Sequence, residues 1–449
     1  MYIDFLFDVF KEFYSNDSII YKSEEYSYKY LIENIEKHQF LIDSHQIKQG
    51  TVVALEGDFS PNSIALFLAL IEKACIIVPL TEMSKKYENR LFKIAQVEFI
   101  FRIDEKDVIT SESVSQKSNN DYYKRIRKRK HPGLVLFTSG TSGEPKAAVH
   151  DLLALLEKFK TRRKALRTLN FLLFDHWGGL NTMFHILSNH GVVIATNDHK
   201  PDSICKLIEK YKIELLPTSP TFLNLMLLSG SYKNYDLGSL KIISYGTEPM
   251  SESTLKRLII IFPGVKLLQT YGLIELGVMH SQSEEDDSLW VKLGGEGYQT
   301  QVVEGLLEIK AKSAMLGYLN APSPFTEDGW FKTGDAVEVK GEYFKILGRN
   351  SEIINVGGEK VYPQEVESVI QEMDNVAEVT VYGEKNPIMG NIVCVKIRLT
   401  KDENKKSVIS HLKKYCRKRL QNYKIPVKIK IVGEEQYSDR FKKIRILPN

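Results

Sequence analysis

The chain has 449 residues, more than one hydrophobic core usually organises, so two or more domains are expected. Of these residues, 43% are hydrophobic and 26% charged, a balance typical of a folded protein. Its formal net charge of +4, from 61 basic and 57 acidic side chains, is too balanced to indicate a nucleic-acid partner. The four cysteines lie far apart, so neither a disulfide framework nor a zinc site is expected. No run of about 18 apolar residues predicts a membrane span, and we expect a cytoplasmic protein.

Helical and strand-like apolar patterns alternate along the chain, which predicts an α/β fold. The expected helices lie at the N-terminus as far as Phe13 and at 63–74, 363–371 and 405–420. The expected strands are 51–55, 76–80, 134–137, 191–195, 241–245, 377–382 and 392–399, with antiparallel hairpins from about Val302. The organisation changes after Gly348, where a compact unit of about a hundred residues begins.

A run of small and hydroxyl residues, Thr138-Ser139-Gly140-Thr141-Ser142-Gly143-Glu144-Pro145-Lys146, follows the strand at 134–137. Its glycines let a loop bend sharply and turn backbone N–H groups towards phosphate oxygens, and Lys146 adds a positive charge. It is not a Walker P-loop, because it lacks Gly-Lys-Ser/Thr and Glu-Pro stands where a helix would begin. The run resembles the phosphate loop of the adenylate-forming superfamily: acyl- and aryl-CoA synthetases, luciferases and nonribosomal-peptide adenylation domains.

Further segments resemble motifs of this superfamily in the same order. Tyr271-Gly272-Leu273-Ile274-Glu275 is similar to its Tyr-Gly-x-Thr-Glu, which implies that Tyr271 and Gly272 lie against adenine and that Glu275 holds Mg²⁺. Ile274 replaces the usual Thr, whose hydroxyl contacts phosphate. Its absence would weaken nucleotide binding by about 1.5–3 kcal/mol, the worth of one charge-assisted hydrogen bond.

The resemblance extends to the segments that would bind the base and the ribose. The residues implied at the adenine-binding turn are Gly246, Thr247 and Glu248. The segment 329–335 closely matches the family's Gly-Trp-x-x-Thr-Gly-Asp, and Asp335 would accept hydrogen bonds from both ribose hydroxyls. Arg349, in the family's Gly-Arg segment, would also contact the ribose.

The architecture implied by the resemblance is a large N-terminal domain, 1–348, with mixed sheets layered with helices plus a β-rich subdomain, and a small mobile α+β domain, 349–449. The family's hinge residue, usually Asp or Lys, falls at Ser351, about which the small domain would rotate. Gly357 and Gly358 lie in a segment similar to the strand that lines the pantetheine tunnel. In the tail, the register implies that Lys443 bridges the carboxylate and the α-phosphate, with Lys442 as the alternative.

The segment 174–179, Phe-Asp-His-Trp-Gly-Gly, resembles the one that borders the family's acid pocket. His176 would lie close to the substrate carboxylate. The other residues implied at the pocket are Trp177, Gly178, Ser219, Tyr245, Leu276 and Gly277. This largely apolar lining favours an aryl or aliphatic acid, although Phe174-Asp175 reproduces a dipeptide of amino-acid-activating relatives.

The resemblance implies an ATP-dependent carboxylic acid ligase that makes an acyl-AMP, releases pyrophosphate and transfers the acyl group to CoA. Lys443, Lys146 and His176 are the candidate catalytic residues. Cations are needed because two unit charges about 4 Å apart repel by roughly 4 kcal/mol at an effective dielectric near 20. One alternative is an enzyme that loads an aryl or amino acid onto a carrier-protein phosphopantetheine. Another, motivated by Ile274 and the irregular tail, is a non-catalytic nucleotide-binding protein.

Overall fold

A computed structural model describes residues 1–138, 144–285, 288–438 and 443. Six residues of the predicted site lie outside these ranges, so their roles stay predictions: Ser139, Gly140, Thr141, Ser142, Gly143 and Lys442.

The helices are given in chain order. They are α1 (Asp4–Glu12), α2 (Tyr28–Ser44), α3 (Pro61–Glu72), α4 (Glu88–Ala95), α5 (Asp121–Arg129), α6 (Leu152–Leu156), α7 (Trp177–Ser188), α8 (Pro201–Tyr211), α9 (Pro220–Ser229), α10 (Glu252–Ile261), α11 (Pro363–Gln371) and α12 (Lys405–Arg417).

The strands follow in the same way. They are β1 (Asp17–Tyr21), β2 (Glu24–Ser27), β3 (Val52–Glu56), β4 (Ile76–Leu80), β5 (Phe99–Ile103), β6 (Ile109–Ser113), β7 (Gly133–Thr138), β8 (Lys146–Asp151), β9 (Thr168–Leu169), β10 (Val193–Ile194), β11 (Leu215–Thr218), β12 (Ile242–Tyr245), β13 (Lys266–Gln269), β14 (Gly272–Leu273), β15 (Gly277–Val278), β16 (His280–Ser283), β17 (Trp290–Gly294), β18 (Tyr298–Val303), β19 (Leu306–Ala311), β20 (Gly317–Tyr318), β21 (Phe331–Lys340), β22 (Tyr343–Arg349), β23 (Ile354–Val356), β24 (Glu359–Val361), β25 (Val376–Asn386), β26 (Gly390–Leu399) and β27 (Lys428–Ile431).

One sheet contains the two strands that flank the predicted phosphate loop. In the described residues its order is β20-β8-β7-β4-β3-β5-β6, with β3, β4, β5 and β7 parallel. These parallel strands are mostly apolar, as expected where helices cover both faces of a sheet, with Glu56 of β3 paired to Arg102 of β5. Strand β8 returns antiparallel to β7 with Lys146 opposite Thr138, so the two ends of the predicted loop lie side by side.

The second large sheet, β13-β12-β11-β9-β10-β1-β2 in the described residues, brings three motif segments to one edge. Strands β11, β12 and β13 are parallel, and Thr218, Tyr245 and Gln269 are opposite one another at their carboxyl ends. The residues that follow each strand therefore meet at that edge, where ligands bind in open α/β sheets.

The remaining strands form the β-rich part and the small C-terminal unit. In the described residues, β16-β17-β22-β21-β19-β18 make an antiparallel sheet, and β14 pairs with β15. Strands β23 to β27 form a separate sheet whose core includes Val366 and Ile370 of α11 and Leu412 of α12. The predicted fold class is confirmed. The boundary at 348/349 and rotation about Ser351 stay predictions.

Most predicted elements are present with shifted ends. Helix α11 has the predicted bounds, and α1 buries Leu6, Phe7, Val9 and Phe10, as its apolar pattern indicates. The predicted strand 191–195 shrinks to β10, because the N–H of Gly191 closes α7 by donating to Ile186 O at 2.9 Å. Helix α12 ends three residues earlier than predicted, where the Arg419 N–H bonds Cys416 O at 3.0 Å in a tighter i→i−3 turn.

The start of α7 depends on a close backbone approach. A Cβ on Gly179 would lie 2.1 Å from Leu173 O, far inside van der Waals contact, so the backbone would have to move. We expect Gly179→Ala to lower the free energy of unfolding by about 3 kcal/mol, as overpacking of a buried site does. Urea unfolding measures the change. Gly433→Ala is the control, because the added Cβ meets nothing within 4 Å there. Equal urea midpoints for the two variants would contradict the packing argument.

Candidate active site

The centre of the candidate site is a buried carboxylate, Asp335, held between Arg349 and Tyr271. Asp335 is 6% exposed and faces Arg349 across strands β21 and β22. Arg349 Nε lies 2.8 Å from Asp335 Oδ1, and the Tyr271 hydroxyl donates to Oδ2. The Asp335 N–H bonds Thr333 Oγ1 at 3.0 Å, and Arg349 Nη1 donates to Thr333 O at 2.8 Å. The structure thus joins residues that the sequence places in three separate motifs.

The electrostatics of this cluster keep the Tyr271 hydroxyl protonated and therefore a donor, while burial and Arg349 act on Asp335 in opposite directions. Burial, with Asp335 next in weight, raises the pKa of the Tyr271 hydroxyl well above its ordinary value. Burial also raises the pKa of Asp335, although Arg349 opposes the rise. Each oxygen of an ionised carboxylate has more than one acceptor position, so these contacts leave Asp335 able to accept further hydrogen bonds.

Asn320 holds the backbone on both sides of Lys146. Its Nδ2 donates to Pro145 O at 2.9 Å, and its Oδ1 accepts from the Ala147 N–H at 3.0 Å. Lys146 Nζ lies 5.5 Å from the centroid of the Tyr318 ring. Sequence reasoning missed Asn320 and Tyr318. The available signal was the short segment Gly317-Tyr318-Leu319-Asn320, which belongs to no long helical or strand-like pattern.

Glu275 lies beside the same tyrosine. The Tyr318 hydroxyl donates to Glu275 Oε1 at 2.5 Å, and burial raises the pKa of Tyr318, so it stays protonated. Glu275 Oε2 has no hydrogen-bond partner in the part of the chain that the structure describes. The preceding Ile274 is 8% exposed and packs in the main core, so the replacement for the usual Thr is a packing residue here.

The predicted adenine turn is built by close packing and a strained residue. A Cβ on Gly246 would lie 2.5 Å from Thr270 Oγ1, so only glycine fits beside that strand end. Tyr245, 1% exposed, accepts a 2.7 Å hydrogen bond from the Thr270 N–H on its carbonyl oxygen. Thr247 is exposed and has φ +72°, a left-handed conformation that a β-branched residue rarely adopts.

Glu248 and Ser219 both serve the start of α9. Ser219 caps the helix by accepting from the Phe222 N–H at 3.1 Å. Glu248 Oε1 accepts from the Thr221 N–H at 2.7 Å, a favourable position for an acid because the helix N-terminus is positive. Their predicted roles at the nucleotide and in the acid pocket stay predictions.

His176 and Trp177 lie where α7 begins. The Gly178 N–H donates to His176 Nδ1 at 3.0 Å, so the neutral imidazole carries its proton on Nε2. Trp177 is 1% exposed, and a Cβ on Gly277 would lie 3.5 Å from its Nε1. Gly277 is itself buried with φ +89°, and its neighbour Leu276 is fully buried. The structure therefore brings the two predicted walls of the acid pocket together.

Lys443 lies in a cleft between the large domain and the small unit. Its N–H is 3.4 Å from Glu248 Oε2, beside the predicted adenine turn, but its ammonium pairs with Glu367 Oε2 at 3.0 Å. Glu367, on α11 and 2% exposed, was missed by sequence reasoning. The cleft is lined by polar groups that include Thr380 and Gln436.

The predicted hinge and tunnel residues lie on exposed turns. Ser351 is exposed in a short 3₁₀ turn directly after β22. Gly357 and Gly358 join β23 to β24 with φ values of +59° and +94°, conformations that favour glycine. A Cβ on Gly357 would also lie 2.8 Å from Met389 Cε. The roles of these residues in rotation and in thiol access stay predictions.

No group of three or more His, Cys, Asp or Glu side chains within the described residues could hold a metal ion. None of the helices in the same ranges is long and apolar enough to cross a membrane.

Comparison with known proteins finds two family matches and many similar chains. The chain matches the AMP-binding enzyme family over residues 10–304 and the AMP-binding enzyme C-terminal domain over residues 365–440. An indoleacetate–CoA ligase of Aromatoleum aromaticum is 29% identical over 68% of this chain, which spans only 64% of that relative's length. A 2-succinylbenzoate–CoA ligase of Listeria monocytogenes is 26% identical over 92% of both chains.

A solved structure has the same fold. An anthranilate CoA ligase in complex with anthranoyl-AMP superposes with a TM-score of 0.82, covering 98% of this chain and 95% of that one. At 16% sequence identity, this likeness concerns the fold alone.

The strained residue of the adenine turn allows a test. Glycine adopts φ > 0 without the cost of about 1 kcal/mol that other residues bear, so we expect Thr247→Gly to raise the free energy of unfolding by about that amount. Denaturant unfolding measures it. Glu304→Gly, at φ +52° in a distant β turn, is the matched control and should give a similar gain. A loss of stability in Thr247→Gly alone would show that the threonine side chain makes a favourable contact there.

Proposed function

The chain belongs to the AMP-binding enzyme family, and on that premise we propose that it is an AMP-forming acid–thiol ligase, which joins a carboxylic acid to the thiol of CoA with ATP. The observation that most supports this proposal is the buried cluster of Asp335, Arg349 and Tyr271. A carboxylate fixed by a guanidinium and a phenol is suited to accept hydrogen bonds from a sugar. Glu275 and Lys146, the predicted metal and phosphate ligands, both lie beside Tyr318.

In the first step, a carboxylate oxygen of the acid would form a bond to the α-phosphorus of ATP while the bond to the pyrophosphate oxygen breaks. Both reactants are anionic, so the residues needed are cations and hydrogen-bond donors rather than a strong acid or base. Lys146 would neutralise phosphate charge. His176, whose Nε2 carries the proton, would donate towards the carboxylate and orient it. Lys443 would bridge the two reacting groups.

The side chains also fit a magnesium ion. Glu275 supplies one carboxylate with Oε1 bound by Tyr318, and Oε2 is without a partner in the described ranges. Mg²⁺ is usually held by one or two carboxylates together with substrate phosphates and water, so a single acidic ligand suffices. Bound there, the ion would offset charge on the leaving pyrophosphate.

In the second step, the thiol sulfur would bond to the acyl carbon of acyl-AMP, AMP would leave and the thiol proton would pass to solvent. The proposed hinge at Ser351 would turn the small domain between the two steps. Its Lys443 side chain pairs with Glu367 in the described arrangement, and the turn at Gly357 and Gly358 is exposed on another part of the same unit. Rotation would exchange these two features at the site.

The acid that fits the lining best is an aryl or aliphatic one. Trp177 and Leu276 are buried at the predicted pocket, and the two relatives described above are named as ligases of indoleacetate and 2-succinylbenzoate. ATP–pyrophosphate exchange over a panel of aryl, fatty and amino acids tests the activity, and CoA dependence of product formation separates CoA from a carrier protein as acceptor. No exchange with any acid would overturn the proposal in favour of a non-catalytic nucleotide-binding protein. A cytoplasmic setting stays a prediction.

The proposed role of Lys443 gives a stepwise prediction. We expect Lys443→Ala to lower acid-dependent ATP–pyrophosphate exchange at least about 100-fold, since the bridge between two anions is lost. Thioester formation from supplied acyl-AMP should stay within about twofold of the parent enzyme, because that step does not join two anions. Lys442→Ala is the matched control. If its exchange falls and that of Lys443→Ala does not, Lys442 is the bridging residue.

The Asp335 cluster gives a second prediction. Asp335→Asn keeps the side-chain size but leaves the Arg349 guanidinium without its counter-charge, and removing one partner of a buried pair is costly. We expect KM for ATP to rise about 10- to 100-fold. Asp328→Asn, on an exposed turn of the same segment, should leave KM unchanged. An unaltered KM in Asp335→Asn would remove this carboxylate from the nucleotide site.

A further inference from the structure

Lys158 lies behind the predicted acid pocket and its ammonium spans two elements of the wall. Nζ donates to Val278 O at 3.0 Å and to Asn181 Oδ1. Val278 directly follows Gly277 in β15, and Asn181 is on α7, one turn after Trp177. The amine is therefore next to the two residues that close the pocket.

This cation has no counter-ion among the residues that the structure describes. Its two partners are neutral, and the positive charge of Arg163 disfavours the charged form of Lys158. His185, a turn further along α7, is kept neutral because burial lowers its pKa to about 4. Burial likewise lowers the pKa of Lys158 to about 7. A desolvated cation without a counter-ion is costly, an opposite charge placed beside the amine would favour its charged form, and such perturbed groups cluster at functional sites.

A second donor lies on the same side of the pocket. Trp177 Nε1 is buried and has no hydrogen-bond partner within the described ranges. Trp177, Asn181 and His185 are four residues apart, so they share one face of α7. A Cβ on Gly277 would lie 3.5 Å from Trp177 Nε1, so this N–H lies beside the backbone of the residue that precedes Val278. An unmet N–H and an unpaired ammonium are thus held by the same two elements, α7 and β15.

We infer that the acid taken by the proposed ligase carries a second carboxylate, remote from the reacting one, and that Lys158 selects it with help from Trp177 Nε1. The inference rests on the proposed function, since it names the substrate class of that site. The distal carboxylate replaces the missing counter-ion of Lys158. A monocarboxylic acid of the same length leaves the cation unpaired and exchanges less well.

Matched pairs of acids test the inference. ATP–pyrophosphate exchange is measured with adipate against hexanoate and with 4-carboxyphenylacetate against phenylacetate. We expect kcat/KM to favour the diacid of at least one pair by 30-fold or more. Lys158→Met should abolish that preference mainly through KM for the diacid and leave the monoacid within about threefold. Lys158→Arg should restore part of the preference. Lys160→Met, which removes an exposed lysine of the same segment, should keep all of it.

If Lys158 only holds α7 against β15, Lys158→Met should lower the exchange activity equally for the diacid and the monoacid of each pair. That outcome, or exchange with both members at equal rates in the parent enzyme, overturns the inference and leaves the proposed ligase intact. Preference for 5-oxohexanoate over adipate overturns it too, because the selected group would then be a neutral acceptor.

Calorimetry with acyl sulfamoyl adenosines of adipate and hexanoate separates the inference from the proposed activity. Tighter binding of the adipate compound to the parent protein, lost in Lys158→Met, supports the inference even if no acid exchanges. The absence of exchange would in that case count against the ligase activity alone.

Discussion

The ion pair between Asp335 and Arg349 is the interaction on which the candidate site depends. A carboxylate buried to this degree is costly unless it is paired and hydrogen-bonded, and here Arg349 and the Tyr271 hydroxyl satisfy both conditions. The two charged residues come from adjacent strands of the β-rich sheet, while Tyr271 follows the last parallel strand of the second large sheet. The hydrogen bond from Tyr271 to the paired Asp335 therefore ties the β-rich part to the sheet edge where the predicted adenine turn lies.

Glycine makes the second contribution, because several parts of the site need backbone where a side chain would stand. Gly246 lies against Thr270, and Gly179 lets α7 start on Leu173. An added Cβ would lie 2.5 Å from Thr270 Oγ1 at the first position and 2.1 Å from Leu173 O at the second, closer than a Cβ can approach. The dense glycine content of the motifs thus reflects packing as well as conformational freedom.

Fold class and most elements were predictable, since apolar periodicity and capping act over a few residues. Helix α11 begins at a proline and has the predicted bounds, and the strands around the phosphate loop follow their apolar runs. Where a strand end was predicted wrongly, the backbone of the preceding helix decided it: Gly191 donates to Ile186 O and completes α7 instead of opening a strand. The motif residues at the nucleotide were found because their spacing within each motif is short, and Tyr271, Asp335 and Arg349 meet in the structure.

The sequence by itself determined the family resemblance, the order of the motifs and the chemistry that each short segment offers. Only the tertiary structure decided which polar groups meet across long separations. Tyr318 reaches Glu275 over 43 residues, Lys443 reaches Glu367 over 76, and Lys158 reaches Val278 over 120. None of these pairings has a local signal, because each depends on strand order and on how the helices cover the sheets. The unpaired charge of Lys158 exists only once the chain has folded around it.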